Sequence, residues 1–347
     1  ALTIAAGFCG QAPFSVPPHR QEEAQQAHAH FHRADSFFSD HLAIAAVFEA
    51  WAEARAAVPP ARRAQVGFDF CRKHYLNQVV LLEMECLRES LRGYLRDSGF
   101  VSASGTGVDV DGSARDDTET SSGGVAKGSF RPPVALPMPS RELVRCVLCA
   151  ALGKNVVKMC LVNLSKSKDN KRQSHAQQTI KMYQRDGREV SIHMSSLTCK
   201  HVSSLLGGKP DDPSKGISNP RNVGQREAFI VYHKMVQSGA GTQTIYIHDA
   251  THVPPLGVLL FAGDDALKVA PSKKDKGKKN KKKGPSLRLT VDGWIRMRAS
   301  ELTAALVRRL QRELDVLLQL KVQSPDADTG TRQVLLIRVV EELLRDD

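Results

Sequence analysis

The sequence has no apolar run as long as the roughly 18 residues at which a membrane-spanning helix becomes possible, so no membrane partner is expected. Its seven cysteines are too few and too unevenly spaced for a disulfide framework, which favours a reducing compartment, cytoplasmic and/or nuclear. The chain opens at Ala1 with no basic segment ahead of its first apolar stretch. This start predicts no signal peptide, and we interpret the chain as a fragment of a longer protein.

Metal-binding and catalytic patterns are also missing. Cys146 and Cys149 form a single C-x-x-C without a second pair at zinc-site spacing. His28, His30 and His32 alternate along a predicted helix, which directs them to different faces. No G-x-x-x-x-G-K-[ST] loop is present to hold the phosphates of a nucleotide. We therefore predict no metal ion, no catalytic residue and no ATP hydrolysis by this chain.

The sequence does carry an uneven excess of positive charge, with a formal net charge of +12. Residues 1–100 have 10 Lys or Arg and 11 Asp or Glu, whereas residues 266–299 have 12 and two, respectively. A positive field on a compact region attracts polyanions, of which nucleic-acid backbones are the common ones. The charge therefore favours a nucleic-acid partner over a surface that only keeps the protein soluble.

The first third of the chain divides into a helical part and a low-complexity part. Apolar residues at helical spacing, a cap at Ser39 or Asp40 and a stop at Gly99 predict a helical bundle over residues 1–100. Residues 101–139 are rich in Gly, Ser, Thr, Asp and Pro. Because such a segment buries too little apolar surface to offset the entropy of ordering, we predict a disordered insert or linker there.

The middle third predicts a small β-barrel over residues 140–265. After a helix that starts near Ser140, the apolar period changes towards two, which is typical of strands. The stretches TIKMYQ and EVSIHM flank Asp186-Gly187, so they predict a hairpin with a tight turn. Further strands are predicted at 228–236, 244–253 and 258–263. A first strand ahead of these is predicted from Val156, Met159, Leu161 and Leu164. Five or so short strands after a helix are compatible with an oligonucleotide-binding (OB) barrel or an SH3-like barrel.

The last third begins with a charged segment and ends in helices. Residues 266–287 contain the run KKDKGKKNKKK, whose like charges repel, so a disordered loop is predicted. Leucines at helical spacing in Ser300–Val322, and a shorter pattern in 331–345, predict a helical extension over residues 288–347. The predicted fold is therefore α+β and multi-domain, with a helical bundle, a five-stranded OB-like barrel and C-terminal helices.

Several stretches are distinctive in their order and spacing. They are APFSVP (12–17), SDHLAIAAVFEAW (39–51), AFIVYHKMV (228–236), TIYIHDATHVPP (244–255), VLLFAGD (258–264), VDGW (291–294) and AALVRRLQRELDVLLQLKVQSP (304–325). Together they resemble the C-terminal region of DEAH/RHA-family ATP-dependent RNA helicases, most of all RNA helicase A and the member that resolves G-quadruplexes. The sequence departs from the family pattern by insertions near 101–139 and 266–286.

The resemblance implies a layout and a function. Residues 1–100 would be the C-terminal part of the helicase-associated ratchet domain, residues 140–265 the OB fold, and residues 288–347 a C-terminal extension. In this family the ratchet and the OB fold help to form the channel for single-stranded RNA, while ATP and Mg²⁺ bind in two RecA-like domains upstream. Those domains and their Asp-Glu-Ala-His sequence are absent here. The chain is thus expected to guide single-stranded or structured RNA, including G-quadruplexes, to a core that it lacks, without a cofactor of its own.

Eight residues are candidates for nucleic-acid contacts. Lys and Arg in loops between OB strands pair with phosphates, and a Tyr among basic residues stacks on a base. The candidates are Lys166, Lys168, Lys171 and Arg172 before the hairpin, Lys181, Tyr183 and His193 on it, and Lys234 on the following strand. Plainer interpretations stay open: a flexible basic loop, or side chains that cover the barrel. The alternative function is a stand-alone interaction module without a motor.

Overall fold

The computed structural model describes residues 1–33, 38–101, 140–163, 178–201, 227–239, 244–263, 267–271, 286–325, 327 and 330–345. Nearly all of the predicted linker (101–139) and most of the predicted Lys-rich loop (266–287) lie outside these ranges.

The N-terminal part is helical, as predicted. Its helices are α1 (Leu2–Phe8), α2 (Gln21–Arg33), α3 (Asp40–Ala56), α4 (Pro60–His74) and α5 (Gln78–Asp97). Ser39 caps α3, because its hydroxyl accepts a hydrogen bond from the Leu42 amide at 3.1 Å. At the end of α5, Gly99 has a φ of 77°, and the Phe100 amide donates to the Leu95 carbonyl at 2.8 Å. Both predicted boundaries are confirmed, and the second is a Schellman stop.

The middle part is a closed five-stranded barrel, which confirms the predicted OB-like architecture. Its strands are β1 (Val156–Asn163), β2 (Gln178–Tyr183), β3 (Glu189–Ile192), β4 (Glu227–Gln237) and β5 (Ile245–Val253). They close in the order β1-β2-β3-β5-β4, with β3 and β5 parallel and every other pair antiparallel. Alternate side chains fill the interior, including Val157, Met159, Met182, Ile230 and Ile247. The intervening side chains therefore point outwards.

The prediction of a strand at 258–263 is wrong, because residues 258–261 belong to helix α7 (Pro255–Phe261), which ends just before Ala262. Val258, Leu259 and Leu260 are all buried, so consecutive apolar residues lie on several sides of the helix. Such a short apolar run has no period that separates a buried strand from a buried helix. Pro255 in the first turn was the better signal, since its fixed φ suits a helix start.

The C-terminal region contains helices, as predicted, and also a sheet that was not predicted. Strands β6 (Lys268–Pro271), β7 (Ser286–Val291) and β8 (Ile295–Ser300) form an antiparallel sheet in that order. Asp292 and Gly293 have φ values of 47° and 77° and make the tight turn between β7 and β8. Helices α8 (Glu301–Gln323) and α9 (Gly330–Arg345) follow.

One apolar core joins the barrel to the C-terminal region. It contains Phe229 and Val231 from the outer side of β4, and Leu289 and Ile295 from the inner face of the second sheet. Helix α6 (Arg141–Ala151), α7, α8 and α9 contribute most of the other residues, and Cys146 and Cys149 of α6 are fully buried in it. These two cysteines are therefore packing residues.

The carboxylate of Asp40, at the start of α3, ties the N-terminal helices to the barrel. Its Oδ1 accepts hydrogen bonds from the amide and the hydroxyl of Thr198, both at 3.0 Å. Its Oδ2 accepts from the Ala250 amide at 2.8 Å and from the Ser196 hydroxyl at 2.5 Å. All four residues are buried. Of the two caps that the sequence allowed, Asp40 is therefore not the one used, and its carboxylate is buried in this junction.

Ser39 and His41 strengthen the same junction at Thr251. The Thr251 hydroxyl oxygen lies 2.7 Å from Ser39 Oγ and 2.7 Å from His41 Nδ1. The His252 amide donates to the Phe38 carbonyl at 2.8 Å. His41 exposes only 2% of its surface, so it is part of the buried junction. The Ser-Asp-His stretch thus fixes how the barrel sits on the helices.

Burial sets the protonation of the junction. It raises the pKa of Asp40 to about 6, although the hydrogen bonds from Ser196, Ala250 and Thr198 oppose this shift. Burial lowers the pKa of His41 to about 3, and neighbouring His233 lowers it further. His41 is therefore neutral at physiological pH.

Replacing Asp40 by Ala is expected to lower the free energy of unfolding by about 3 kcal/mol, because it leaves buried donors unsatisfied. Urea denaturation measures the change. Asp69→Ala is the matched control, since the Asp69 carboxylate is exposed and accepts a hydrogen bond from the side-chain amide of Gln65, which is also exposed. It should change the free energy by no more than about 0.5 kcal/mol. Equal effects of the two variants would contradict the assigned role of Asp40.

Acidification is expected to destabilise the protein through His41. Below pH 6.5, the pKa of His41 in the unfolded chain, the unfolded chain binds a proton at His41 and the folded protein does not. The free energy of unfolding therefore falls by up to about 1.4 kcal/mol per pH unit. Asp40 has the opposite effect between pH 3.8 and about pH 6, which are its pKa values in the unfolded and the folded state. In this range the folded protein binds a proton at Asp40 before the unfolded chain does, so acidification raises the free energy of unfolding. His41→Asn removes the histidine contribution, so its unfolding free energy should decline less between about pH 7 and pH 5 than that of the wild type. His19→Asn, at an exposed position, is the control and should leave the decline of the unfolding free energy as in the wild type. If His41→Asn also leaves this decline unchanged, His41 is not its source.

Candidate nucleic-acid interface

The predicted contact residues divide into those that the structure places and those that it does not. Lys166, Lys168, Lys171 and Arg172 lie in the connection between β1 and β2, outside the described residues, and stay predictions. Lys181, Tyr183, His193 and Lys234 are all described.

Lys181 and Tyr183 lie together on the outer side of β2. Met182 between them points into the barrel, so the alternation of the strand directs both neighbours outwards. Across the β1–β2 ladder, Lys181 is opposite Cys160 and Tyr183 is opposite Lys158. The structure thus brings these two predicted residues to one surface, and both are partly exposed.

His193 lies on the same outer side, just after β3. Its amide donates to the Ile247 carbonyl of β5 at 3.0 Å, which continues the parallel β3–β5 pairing. The His193 ring stacks on His248 with ring centroids 4.2 Å apart, and meets Tyr246 edge-on at 5.6 Å. His193 is therefore part of an aromatic cluster that extends across two strands.

Sequence reasoning missed Tyr246 and His248. They stand on β5 with alternate spacing, so their common outward direction was readable from IYIH. Their proximity to His193 could not be predicted from the sequence, because it depends on a parallel pairing between strands that are far apart along the chain. We call Lys181, Tyr183, His193, Tyr246 and His248 the barrel face.

Lys234 is adjacent to the barrel face, opposite His248 in the β4–β5 ladder. Its ammonium group donates to the Gly10 carbonyl at 2.6 Å, just after α1. This bond uses one of the three ammonium donors. Lys234 therefore supports the junction between helices and barrel and still has donors that can meet an anion.

The charges on this side of the barrel are partly paired. Lys181 forms an ion pair with Glu189 at 2.7 Å, and Lys158 forms one with Glu227 at 2.6 Å. The hydrogen bond with Glu189 raises the pKa of Lys181, while burial and neighbouring His193 lower the pKa of His248. The barrel face is thus a mixture of aromatic rings and modest positive charge, which suits base stacking better than simple charge attraction.

The β2–β3 hairpin holds Lys181 and Tyr183 in place. Gly187 has a φ of 82°, and its amide donates to the Gln184 carbonyl at 3.0 Å, so the predicted turn is confirmed. The side-chain amide of Gln184 donates to the Tyr232 hydroxyl at 2.8 Å inside the barrel. The turn is therefore anchored to the barrel interior.

Within the described ranges, no helix is both long enough and apolar enough to cross a membrane. The described residues also include no group of three or more His, Cys, Asp or Glu that could hold a metal ion.

Comparison with known proteins agrees with this geometry. Residues 144–264 match the family of oligonucleotide/oligosaccharide-binding (OB) folds, and residues 287–346 match the C-terminal domain in RNA helicases. The chain thus has an OB fold, followed by a segment that is similar to the C-terminal domain in RNA helicases.

Individual relatives are helicases of the DEAH/RHA type. The human ATP-dependent DNA/RNA helicase DHX36 is 25% identical over 99% of this chain and 27% of its own length. The DExH-box ATP-dependent RNA helicase DExH1 of Arabidopsis thaliana is 26% identical over 99% of this chain and 26% of its own. The putative ATP-dependent RNA helicase DHX57 of Mus musculus is 27% identical over 94% and 20%.

The resemblance to the C-terminal region of DEAH/RHA-family RNA helicases is therefore confirmed, and it extends over nearly the whole chain. The chain spans about a quarter of the length of these relatives.

Replacing Gly187 by Ala is expected to lower the free energy of unfolding by about 1 kcal/mol, because a Cβ disfavours a positive φ. No heavy atom lies within 4 Å of the added Cβ, so the effect isolates backbone strain. Gly93→Ala, within α5 and equally uncrowded, should stabilise by about 0.5–1 kcal/mol. Thermal or urea denaturation measures both, and a stabilising Gly187→Ala would contradict the assigned turn.

Proposed function

We propose that this chain is an RNA-binding accessory region of a DEAH/RHA-family helicase. It binds single-stranded or structured RNA, including G-quadruplexes, on the barrel face and guides it to an ATPase core outside this chain. That core, and not this chain, binds ATP and Mg²⁺. The protein acts in the cytoplasm, the nucleus or both.

The observation that carries the proposal is the aromatic cluster of the barrel face. Tyr183, His193, Tyr246 and His248 present rings on the outer side of strands β2, β3 and β5. Nucleic-acid bases stack on such rings with little dependence on sequence. Lys181 and Lys234 beside them supply cations for the phosphates. Strands 2 and 3 of an OB barrel are also the usual binding surface of this fold.

The junction at Asp40 supports a guiding role. An RNA channel requires that the surfaces lining it keep a fixed distance and orientation relative to each other. The four buried hydrogen bonds to Asp40 and the 2.6 Å bond from Lys234 to the Gly10 carbonyl link the barrel region to the N-terminal helices. The barrel face is thus held at a fixed position relative to the helices.

An interaction module without a motor is the second candidate function. It is favoured by exposed leucine and valine side chains on α8, where Leu302 exposes 82% of its surface, Leu318 64% and Val322 61%. Leu318 and Val322 are four residues apart and so lie on the same side of α8, and contiguous exposed apolar surface is typical of a site that docks a protein. A reading frame that continues into RecA-like motifs ahead of Ala1 would remove this candidate.

Replacing Tyr183 by Ala is expected to weaken binding to a single-stranded RNA of about 20 nucleotides by 1–3 kcal/mol, or about 5- to 150-fold, because a stacking ring is lost. Fluorescence anisotropy at several salt concentrations measures the affinity, and a folded G-quadruplex RNA serves as a second probe.

Tyr94→Ala is the matched control, since Tyr94 exposes 68% of its surface and lies on helix α5, outside the barrel strands. It should bind like the wild type. Unchanged affinity in Tyr183→Ala would remove Tyr183 from the interface, and absence of wild-type binding even at low salt would refute RNA binding by this chain.

A further inference from the structure

The second sheet has a face on which every charged side chain is positive. Two rows of paired residues cross its strands: Lys268, Thr290 and Arg296 in one, and Ala270, Arg288 and Arg298 in the other. Paired residues share a face, and so do residues two apart along a strand, so both rows lie on one side of the sheet. We call Lys268, Arg288, Arg296 and Arg298 the arginine face.

The arginine face is turned to solvent. The opposite side of the sheet buries Leu289, Val291 and Ile295 in the apolar core, where Ala304 and Val307 of α8 pack. Of the arginine face, Lys268, Arg296 and Arg298 are exposed, and Arg288 on the central strand is half-buried. Packing of the inner side therefore fixes the direction in which these four cations point.

Among the described residues, the four cations have no acidic partner. In the part of the chain that the structure describes, none of them forms an ion pair. Asp292, the only acidic residue within 286–300, lies in the turn beyond the paired rows. Arg288 and Arg298 are directly opposite each other across β7 and β8. Like charges in that position destabilise a sheet, so folding alone does not account for their presence.

We propose that the arginine face is a second RNA-binding surface, which contacts the phosphate backbone without reading bases. The inference rests on the proposed RNA-binding function and adds a surface outside the OB barrel. The surface consists of the described strands only and does not include residues 272–285.

The chemistry favours a phosphate backbone over an acidic protein segment. Three of the four cations are arginines, whose planar fork pairs with phosphate through two parallel hydrogen bonds. A protein partner usually needs an apolar or aromatic centre in the interface, and the only other described side chains in these rows are Thr290 and Ala270. No aromatic side chain is available for stacking in these rows, so the contact is independent of base sequence.

Salt-dependent binding of single-stranded RNA of about 20 nucleotides to the full chain tests the proposal. The triple variant Arg288→Gln, Arg296→Gln, Arg298→Gln should reduce the salt slope of log K by about 2, since each phosphate contact on a single strand contributes about 0.7. At about 0.1 M salt the affinity should fall at least about tenfold. The variant with Lys at the same three positions should keep most of the slope.

A matched control changes the same amount of charge on the C-terminal helices. Arg308, Arg312 and Arg338 are exposed, and the triple variant Arg308→Gln, Arg312→Gln, Arg338→Gln should keep the wild-type slope. Relief of the Arg288–Arg298 repulsion should leave the melting temperature of the sheet variant unchanged or higher, which separates lost binding from lost folding.

Each outcome bears on one proposal or on both. If the sheet variant keeps the wild-type slope while Tyr183→Ala weakens binding, the arginine face is not a contact and the barrel face stands. If the triple variant of the sheet and the triple variant of the C-terminal helices lose the same amount of RNA affinity and salt slope, the effect is one of general charge, which would also overturn the proposal. Stronger binding of a polyglutamate peptide than of RNA, lost in the sheet variant, would assign the surface to an acidic protein segment. If the wild type does not bind RNA, both proposals fail.

Discussion

A single buried carboxylate holds the two halves of this chain in register. Asp40 stands at the start of a helix, and all four of its hydrogen bonds come from residues of the barrel region. A buried carboxylate is costly unless donors surround it, so the arrangement is stable only when helix and barrel meet in this one way. Ser39 and His41, on either side of Asp40, bond to Thr251 and require the same arrangement of helix and barrel. The position of the barrel face relative to the helices follows from this junction.

Two surfaces then differ in what they can recognise. The barrel face combines rings with cations that are partly paired, which suits stacking of bases. The arginine face has cations that form no ion pair with any described residue, and its paired rows contain no aromatic ring, which suits phosphates. The shared apolar core of the barrel and the second sheet gives the two surfaces a rigid connection. An RNA strand that met both would be held by its bases at one and by its backbone at the other.

Local features of the fold were predictable from the sequence. The cap at Ser39, the stop at Gly99 and the Asp186-Gly187 turn depend on a few neighbouring residues, and each is where the pattern indicated. The segment 258–263 was mistaken for a strand because four apolar residues in a row carry no period. The second sheet was missed although Leu287, Leu289 and Val291 alternate, because the leucine-rich helix after it dominated the prediction.

Contacts between residues far apart along the chain could not be predicted from the sequence. The barrel donors to Asp40 are more than 150 positions away along the chain, and no local pattern marks them. His193 meets His248 only because β3 and β5 run parallel. Among the predicted contact residues, Lys181 and Tyr183 reached a common surface because alternation within one strand is a local rule. The four basic residues of the β1–β2 connection stay predictions.

Amide hydrogen exchange of the full chain, with and without single-stranded RNA, examines both the junction and the barrel face most directly. The account predicts slow exchange of the Thr198 and Ala250 amides in either state, since both donate to the buried Asp40 carboxylate. It also predicts that RNA slows exchange along β2, β3 and β5. Fast exchange at Thr198 and Ala250, or RNA protection that spares these three strands, would contradict it.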